Sequence, residues 1–151
     1  MVTQQRLHEL FVYKDGNLIR NGKIAGSVNK QGYRCICVDY KIYRAHRLVF
    51  LYHHGYLPEQ IDHVDKNPGN NMIENLRPAT NGQNCMNRGM MRNNTSGAKG
   101  VFWDKEVCKW RVAVRINRKL KSFGRYVDKE LAELVAVMAR EKHHGTFANH
   151  G

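Results

Sequence analysis

The chain lacks long apolar runs and paired metal-binding cysteines. No segment approaches the 18 or more consecutive apolar residues of a membrane-spanning helix. The four cysteines form no Cys-x-x-Cys pair, which argues against a structural zinc site. The first six residues lack the apolar core of a secretory signal. We therefore expect a cytoplasmic protein with reduced thiols and no membrane partner.

Acidic residues are also scarce. The sequence has 13 Asp and Glu against 25 Lys and Arg, a formal net charge of +12 and a pI near 9.8. The excess is spread evenly, because residues 1–92 carry 13 basic against 7 acidic residues and residues 93–151 carry 12 against 6. Such a chain should associate with polyanions. Both halves are therefore expected to bind DNA or RNA.

One short motif carries a set of catalytic residue types. His63 lies between Asp62 and Val64, Asn75 follows 12 residues after His63, and Asn84 follows 9 residues later. A neutral imidazole can take a proton from water, and a neighbouring carboxylate can hold a hard divalent cation. Such a cation stabilises the charge that develops at a scissile phosphate. The pattern therefore indicates hydrolysis of a phosphodiester.

These residues resemble the HNH nuclease family, whose active site is a ββα unit around one metal ion. The matching segments are residues 43–48, 60–63, 70–71, 74–77 and 83–84. The resemblance implies that His63 is the general base, that Asp62 and Asn84 are metal ligands, and that Asn75 pins the catalytic loop. It also implies one Mg²⁺ or Mn²⁺ ion per site and a 5′-phosphate product. A small phage enzyme, free-standing or intron-linked like homing endonucleases, is the expected setting, with the host cytoplasm as its location.

The local sequence is consistent with that geometry. Residues 60–64 predict a short strand, residues 65–71 are rich in turn formers, and residues 80–83 have the spacing of a helix-capping box. Asn84 would then lie in the first turn of a helix. Asp62 and His63 are adjacent, so their side chains should leave opposite faces of the strand unless it is irregular there. We expect such an irregularity.

Residues 45–54 predict a helix with an apolar side. His53 and His54 are adjacent and would point about 100° apart, so they are interpreted as packing or surface residues. His46 and Arg47 match the His-Arg-Leu entry helix of the family, so a functional role is expected for this pair rather than for His53 and His54. Residues 8–44, which precede this helix, predict a β-rich region whose core face the pattern leaves open.

The C-terminal third predicts a sheet backed by a helix. Residues 110–117 alternate strictly, with residues 110, 112, 114 and 116 facing a core and residues 111, 113, 115 and 117 facing outward. Strands are also expected at residues 101–103 and 119–123. Asp128 should cap a helix from Lys129 to about His143. The residues expected to cover the sheet are Leu131, Leu134, Val135 and Met138.

This region resembles the DNA-binding domain of plant ethylene-response factors, a three-stranded antiparallel sheet backed by one helix. The similar segments are residues 96–101, 110–114, 122–126 and 144–145. The resemblance implies that the sheet lies in the major groove, with Trp103 stacking or simply packing. The predicted DNA contacts are Arg47, Arg88, Lys99, Trp103, Arg111, Arg115, Lys119, Lys121 and Arg125. Arg88 could equally be a solvated surface residue.

The sequence thus predicts an α+β protein. We expect a small N-terminal β-rich region plus a ββα-metal HNH module in residues 1–92, a linker at 93–97, and a sheet-type DNA-binding domain in 98–151. The predicted function is metal-dependent cleavage or nicking of double-stranded DNA by a monomer or weak dimer, without a small-molecule cofactor. The alternatives are a DNA-binding regulator without catalysis and an RNA-directed binder.

Overall fold

The computed structural model describes residues 2–151. Its α+β architecture confirms the predicted fold class, because four helices accompany several small antiparallel sheets. The chain divides into two compact units, which meet in sequence between Thr80 and Asn81. Across residues 2–151, no helix combines the length and the apolar character that crossing a membrane requires.

The first unit contains two helices and eight strands. In chain order they are α1 (Gln4–Leu10), β1 (Val12–Lys14), β2 (Asn17–Arg20), β3 (Lys23–Ile24), β4 (Ser27–Val28), β5 (Arg34–Val38), β6 (Lys41–Arg44), α2 (Ala45–His54), β7 (Gln60–His63) and β8 (Leu76–Ala79). A one-turn 3-10 helix, Ile73–Asn75, precedes β8. The strands form two three-stranded sheets, β1-β2-β3 and β4-β5-β6, and the ribbon β7-β8.

Two details of the N-terminal region differ from the sequence expectation. Helix α1 occupies the start of the segment that we predicted to be β-rich, because the Thr3 side chain accepts a hydrogen bond from the Arg6 backbone nitrogen at 3.2 Å and caps the helix. Further along the same segment, β3 ends at Ile24 and β4 begins at Ser27, so residues 24–28 are not one continuous strand. Gly26, at φ +78°, lies between the two strands, and a Cβ there would clash with the Cys35 carbonyl oxygen.

The core of this unit surrounds α2, which spans the predicted residues. Leu48, Val49 and Phe50 are almost fully buried, and the helix ends at Gly55, whose φ of +74° is left-handed. Strand β5 contributes Ile36 and Val38 to the same core. The sequence pattern did not show which face of β5 packs on the core. In the structure, the face that carries Ile36 and Val38 does.

The second unit is a sheet with one long helix. Its elements are α3 (Asn81–Met86), β9 (Val101–Asp104), β10 (Lys109–Ile116), β11 (Lys119–Tyr126), α4 (Lys129–His144) and a 3-10 turn, Gly145–Phe147. The sheet is antiparallel with β10 in the centre. Val112, Val114 and Ile116 are buried toward α4, as the alternation predicted.

Helix α4 has the predicted cap, since Asp128 Oδ1 accepts a hydrogen bond from the Leu131 nitrogen at 3.0 Å. The predicted packing face was wrong. Its alanines lie on the sheet, whereas the larger side chains expected there are mostly exposed: the buried set is Ala132, Ala136 and Ala139, and the exposed set is Leu131, Leu134 and Met138. Val135 is partly buried. Small residues allow the helix backbone to approach the valines of the sheet closely.

Ala113 is a second correction. It was expected to face outward but is only 4% exposed. Its backbone nitrogen donates to the Gly100 carbonyl at 2.9 Å, so the chain entering β9 lies beside it. The pairing of β10 with β11 also shifts between Arg111 and Ala113, which is a bulge at this point of the sheet.

Candidate active site

The motif residues Asp62 and His63 lie on the ribbon β7-β8. Asp62 pairs with Arg77 and His63 pairs with Leu76, and this register continues without a shift from Gln60 to His63. The irregularity that we expected at Asp62 and His63 is therefore not present. The Val64 nitrogen also donates to the Asn75 carbonyl at 2.9 Å, which extends the regular pairing. The two side chains consequently leave opposite faces of the strand.

On one face, Asp62 is paired with Arg77. The carboxylate is 4% exposed, and its Oδ2 accepts hydrogen bonds from Arg77 Nε at 2.9 Å and from Nη2 at 2.7 Å. A buried carboxylate without a cationic partner would be costly, so the ion pair with Arg77 compensates the burial of Asp62. This pairing orients the carboxylate at the position that the family motif assigns to a metal ligand.

On the other face, His63 contacts a buried amide. Its Nε2 lies 3.2 Å from Asn71 Oδ1, and the two residues are 7% and 3% exposed. An amide oxygen accepts hydrogen bonds and does not donate them, so this contact suits a ring hydrogen on Nε2. In a neutral ring with that hydrogen, the lone pair that a general base requires lies on Nδ1. Sequence reasoning missed this role of Asn71, since it placed the residue in the matching segment 70–71 and among the turn formers but assigned it no contact with His63.

A second histidine packs against the first. The rings of His46 and His63 are 5.0 Å apart and nearly perpendicular, and the Tyr33 ring lies 5.7 Å from His46 and 6.2 Å from His63. Burial lowers the pKa of His46 to about 3, and smaller electrostatic effects of His63, Arg44 and Arg47 add to it. His46 is therefore neutral at physiological pH, and it lies beside the proposed base as a packing residue.

The loop after β7 is held by Asp65 and asparagine side chains. Asp65 accepts hydrogen bonds from Asn70 Nδ2 at 2.7 Å and from Asn75 Nδ2 at 2.9 Å, and Asn75 Oδ1 accepts one from the Asp65 nitrogen at 3.0 Å. Slight burial raises the pKa of Asp65, but hydrogen bonds from Asn70, Asn67 and Asn75 outweigh it and leave the pKa below its ordinary value. Asn75 thus bridges both ends of the loop that follows His63.

The remaining HNH positions and nearby cations lie as follows. Arg47, on α2, is half-buried, and its Nη1 lies 3.5 Å from the Glu59 carbonyl oxygen. Asn84 is half-buried on α3, which the division of the chain assigns to the second unit. Arg88 is exposed just beyond that helix. The Lys99 ammonium donates to the carbonyls of Met86 and Arg88, so it caps the C-terminal end of α3.

The cations of the second sheet lie on two faces. Arg111 pairs with Arg125, and Arg115 shares their face, which is opposite to α4. Lys121 pairs with Val114 and Lys119 with Ile116, so both lysines lie on the side of the buried residues, at the sheet edge. The structure thus brings three of the five predicted cations together and separates the two lysines from them.

The aromatic residues of β9 divide in the same way. Trp103 pairs with Trp110, and their ring centroids are 4.9 Å apart on the helix side. For Trp103 the geometry supports packing, one of the two predicted alternatives. Phe102 lies on the opposite face, where the Arg111 guanidinium is 5.9 Å from its ring. Arg125 donates to Asp104 at 2.9 Å, and this hydrogen bond lowers the pKa of the Asp104 carboxyl.

The donor set constrains the metal. Within residues 2–151, no three His, Cys, Asp or Glu side chains form a group that could hold an ion. The buried carboxylate of Asp62 is a hard oxygen donor, the ligand type of hard divalent cations. Mg²⁺ is commonly bound by one or two carboxylates together with waters and substrate phosphates.

Comparison with known proteins gives two matches. A family model described as HNH endonuclease matches residues 43–86, the segment from β6 to α3. The chain is also 38% identical over 113 residues to "Protein 3.8" of Escherichia phage T7, and this match covers 72% of the present chain and 91% of the phage protein. No solved structure matches the chain.

Proposed function

The chain belongs to the HNH endonuclease family, and we propose that it cleaves double-stranded DNA by metal-dependent hydrolysis with His63 as the base. The observation that supports this most strongly is the contact between His63 Nε2 and Asn71 Oδ1 at 3.2 Å. The contact orients the imidazole ring, and in the tautomer with hydrogen on Nε2 the lone pair lies on Nδ1. A base prepared in this way can accept the proton of the attacking water.

Asp62 is proposed to bind the metal ion, and Arg77 to orient the Asp62 carboxylate. The metal, Mg²⁺ or Mn²⁺, would stabilise the charge on the departing 3′ oxygen, and the family resemblance adds Asn84 as its second ligand. Arg77 orients the Asp62 carboxylate through two hydrogen bonds. Asn75 positions the loop that follows the base through Asp65. The product is proposed to carry a 5′-phosphate.

Asp62 and His63 leave opposite faces of β7, and β8 pairs along one edge of that strand. We propose that the scissile phosphate approaches from the other edge, with His63 on one side of the strand and the metal held by Asp62 on the other.

We propose that the second sheet provides additional DNA binding. Arg111, Arg115 and Arg125 share its open face, where they can contact phosphates and base edges. Lys119 and Lys121 would contact phosphates from the sheet edge, as would Arg47 and Arg88 near the HNH motif. Lys99 is proposed to act indirectly, by capping α3.

The functional organisation of the chain is also a proposal. Residues 1–92 would form the nuclease module, residues 93–97 the linker and residues 98–151 the DNA reader. In the structure, α3 belongs to the second unit although its sequence belongs to the HNH motif. A monomer with one active site would nick one strand, acting in the cytoplasm of a bacterial host.

The test is nicking of supercoiled plasmid by wild type, His63→Ala and the control His54→Ala, with Mg²⁺ or Mn²⁺ and with EDTA. His54 is an exposed histidine on α2 and a suitable match. We expect metal-dependent nicking that falls at least about 10²-fold in His63→Ala and stays unchanged in His54→Ala. DNA binding, measured by gel shift at a stated salt concentration, should survive in both variants.

Three outcomes would contradict the proposal. Equal activity of His63→Ala would exclude His63 as the base. DNA binding without cleavage by wild type, across metals and substrates, would indicate a regulator. Preferential binding of structured RNA in competition with duplex DNA would indicate an RNA-directed protein.

A further inference from the structure

The sheet β4-β5-β6 has an open face opposite the core of the first unit. Ile36 and Val38 of β5 are buried, so the odd-numbered residues of β5 and their partners on β6 face outward. The pairs are Cys35 with Arg44 and Cys37 with Ile42. Tyr33 precedes β5 on the same face by strand alternation, and Tyr40 is exposed in the turn that joins β5 to β6, next to this face.

This face begins at the active site. The Tyr33 ring lies 6.2 Å from the ring of His63, the proposed base. The Arg44 guanidinium lies 4.4 Å from the centre of the same Tyr33 ring. Arg44 is exposed. One continuous surface therefore runs from the base, along β6, to the tip of the hairpin.

The far end of the face is apolar and fully exposed. Ile42 is 77% exposed and Tyr40 is 102% exposed. Asp39 and Tyr40 have φ values of +46° and +63°, so the two-residue turn is of the primed type that favours Asn and Gly. A bulky aromatic residue in this conformation is uncommon. The turn holds Tyr40 away from the core, so burial of the side chain does not compensate for the unfavourable backbone conformation.

Cations surround this tip. Arg6 donates from Nη2 to Asp39 Oδ1 at 3.1 Å, and its hydrogen bond lowers the pKa of Asp39. Arg20 also acts electrostatically on Asp39, and Lys41 follows Tyr40 directly. Arg6 also pairs with Glu9 at 3.1 Å, so three cations accompany two carboxylates here. An apolar tip within a cationic margin is complementary to a polyanion that also offers sugars and bases.

We propose that this face is a second DNA-binding surface of the nuclease. Arg44 binds a phosphate next to the scissile one, and Ile42 and Tyr40 contact sugars and bases further along the duplex. Tyr40 and Arg44 are four positions apart in the sequence, which corresponds to about 13 Å along an extended strand. At 3.4 Å per nucleotide step, the tip reaches about four base pairs from Arg44.

A protein partner fits this surface less well. The apolar part consists of two side chains, whereas a specific protein interface buries on the order of 1,000 Å² or more. Aromatic and aliphatic side chains that insert at base steps, with cations on the backbone, are a recurrent mode of DNA binding. The inference rests on the proposed function, because it takes the scissile phosphate to lie at His63.

The test uses Tyr40→Asn and Ile42→Thr in a His63→Ala background, so that binding is measured without cleavage. Asn tolerates the left-handed turn, and Thr keeps a β-branched residue in the strand, so both variants should fold. The control is Val12→Thr, since Val12 is an exposed β-branched residue, 67% accessible, on the separate sheet β1-β2-β3. Circular dichroism establishes that all variants are folded.

We expect each variant at the tip to weaken binding of duplex DNA roughly tenfold, as loss of a base contact does, and the control to leave it unchanged. Hydroxyl-radical footprints should lose protection about four base pairs to one side of the position that wild type nicks. Unchanged affinity and footprint in Tyr40→Asn would overturn the inference while leaving the nuclease proposal intact. Failure of wild type to bind or nick DNA would instead refute the proposed function, and this inference with it.

Discussion

Replacing His46 by glutamine should remove much of the acid sensitivity of the first unit. His46 is 6% exposed and packs against the rings of His63 and Tyr33. Burial lowers its pKa to about 3 in the folded protein, against 6.5 for a free histidine. Folding therefore favours the neutral ring, and protonation favours unfolding.

The sign and the size of the effect follow from these two values. Above pH 6.5 the ring is neutral in both states, so the stabilisation is fully present. Below pH 6.5 the unfolded chain binds a proton that the folded protein does not bind until about pH 3. Stability then falls by about 1.4 kcal/mol per pH unit. At pH 5 the loss attributable to His46 is about 2 kcal/mol.

The assay is urea unfolding followed by far-ultraviolet circular dichroism between pH 5 and 7.5. The difference between the unfolding free energies at these two pH values should shrink by about 2 kcal/mol in His46→Gln. It should not shrink in His54→Gln, which removes an exposed histidine from the same helix. Some slope will remain, because burial also lowers the pKa of His53. The same pH dependence in His46→Gln and wild type would refute the reasoning.

Three further outcomes follow from packing and hydrogen bonding. Gly26→Ala should destabilise the first unit by at least about 2 kcal/mol, because the left-handed backbone disfavours a side chain and the new Cβ would meet the Cys35 carbonyl. Urea unfolding measures this loss, and a variant as stable as wild type would contradict the prediction. Ala136→Leu should lower the free energy of unfolding by about 1–3 kcal/mol, since Ala136 is fully buried where α4 packs on the sheet. Thermal unfolding measures the loss, and Leu134→Ala, at an exposed position on the same helix, is the control. Asn71→Leu should lower the nicking rate at least about tenfold without weakening DNA binding, because His63 loses the acceptor that fixes its tautomer. Equal nicking rates for Asn71→Leu and wild type would remove that role.

Local sequence signals predicted the elements that have a clear capping residue or a regular apolar period. Helix α2 was predicted from Ala45 to His54, because an apolar period ends at a glycine that adopts the left-handed conformation. Helix α4 was predicted from its Asp128 cap, and β10 from its strict alternation. In each case a short-range interaction determines the structure. Helix α1 was missed because its seven residues offer only a Thr cap and no long apolar period.

Features that depend on distant residues could not be predicted. Nothing in the spacing shows that His46 packs on His63, because that contact needs the fold of the whole first unit. The faces of Lys119 and Lys121 depend on the register across the β10-β11 turn and its bulge, which periodicity does not specify. Helical spacing alone identified an apolar stripe on α4 but could not show that the alanines beside it form the packing face.

The Trp103–Trp110 pair gives the protein an internal optical reporter. The sequence has two tryptophans, and both belong to the sheet of the second unit, whereas six of the seven tyrosines precede Thr80. Tryptophan emission therefore follows the melting of one unit, while circular dichroism averages over the chain. Coincident curves would mean that the two units unfold cooperatively, and separated curves would measure how independently each folds.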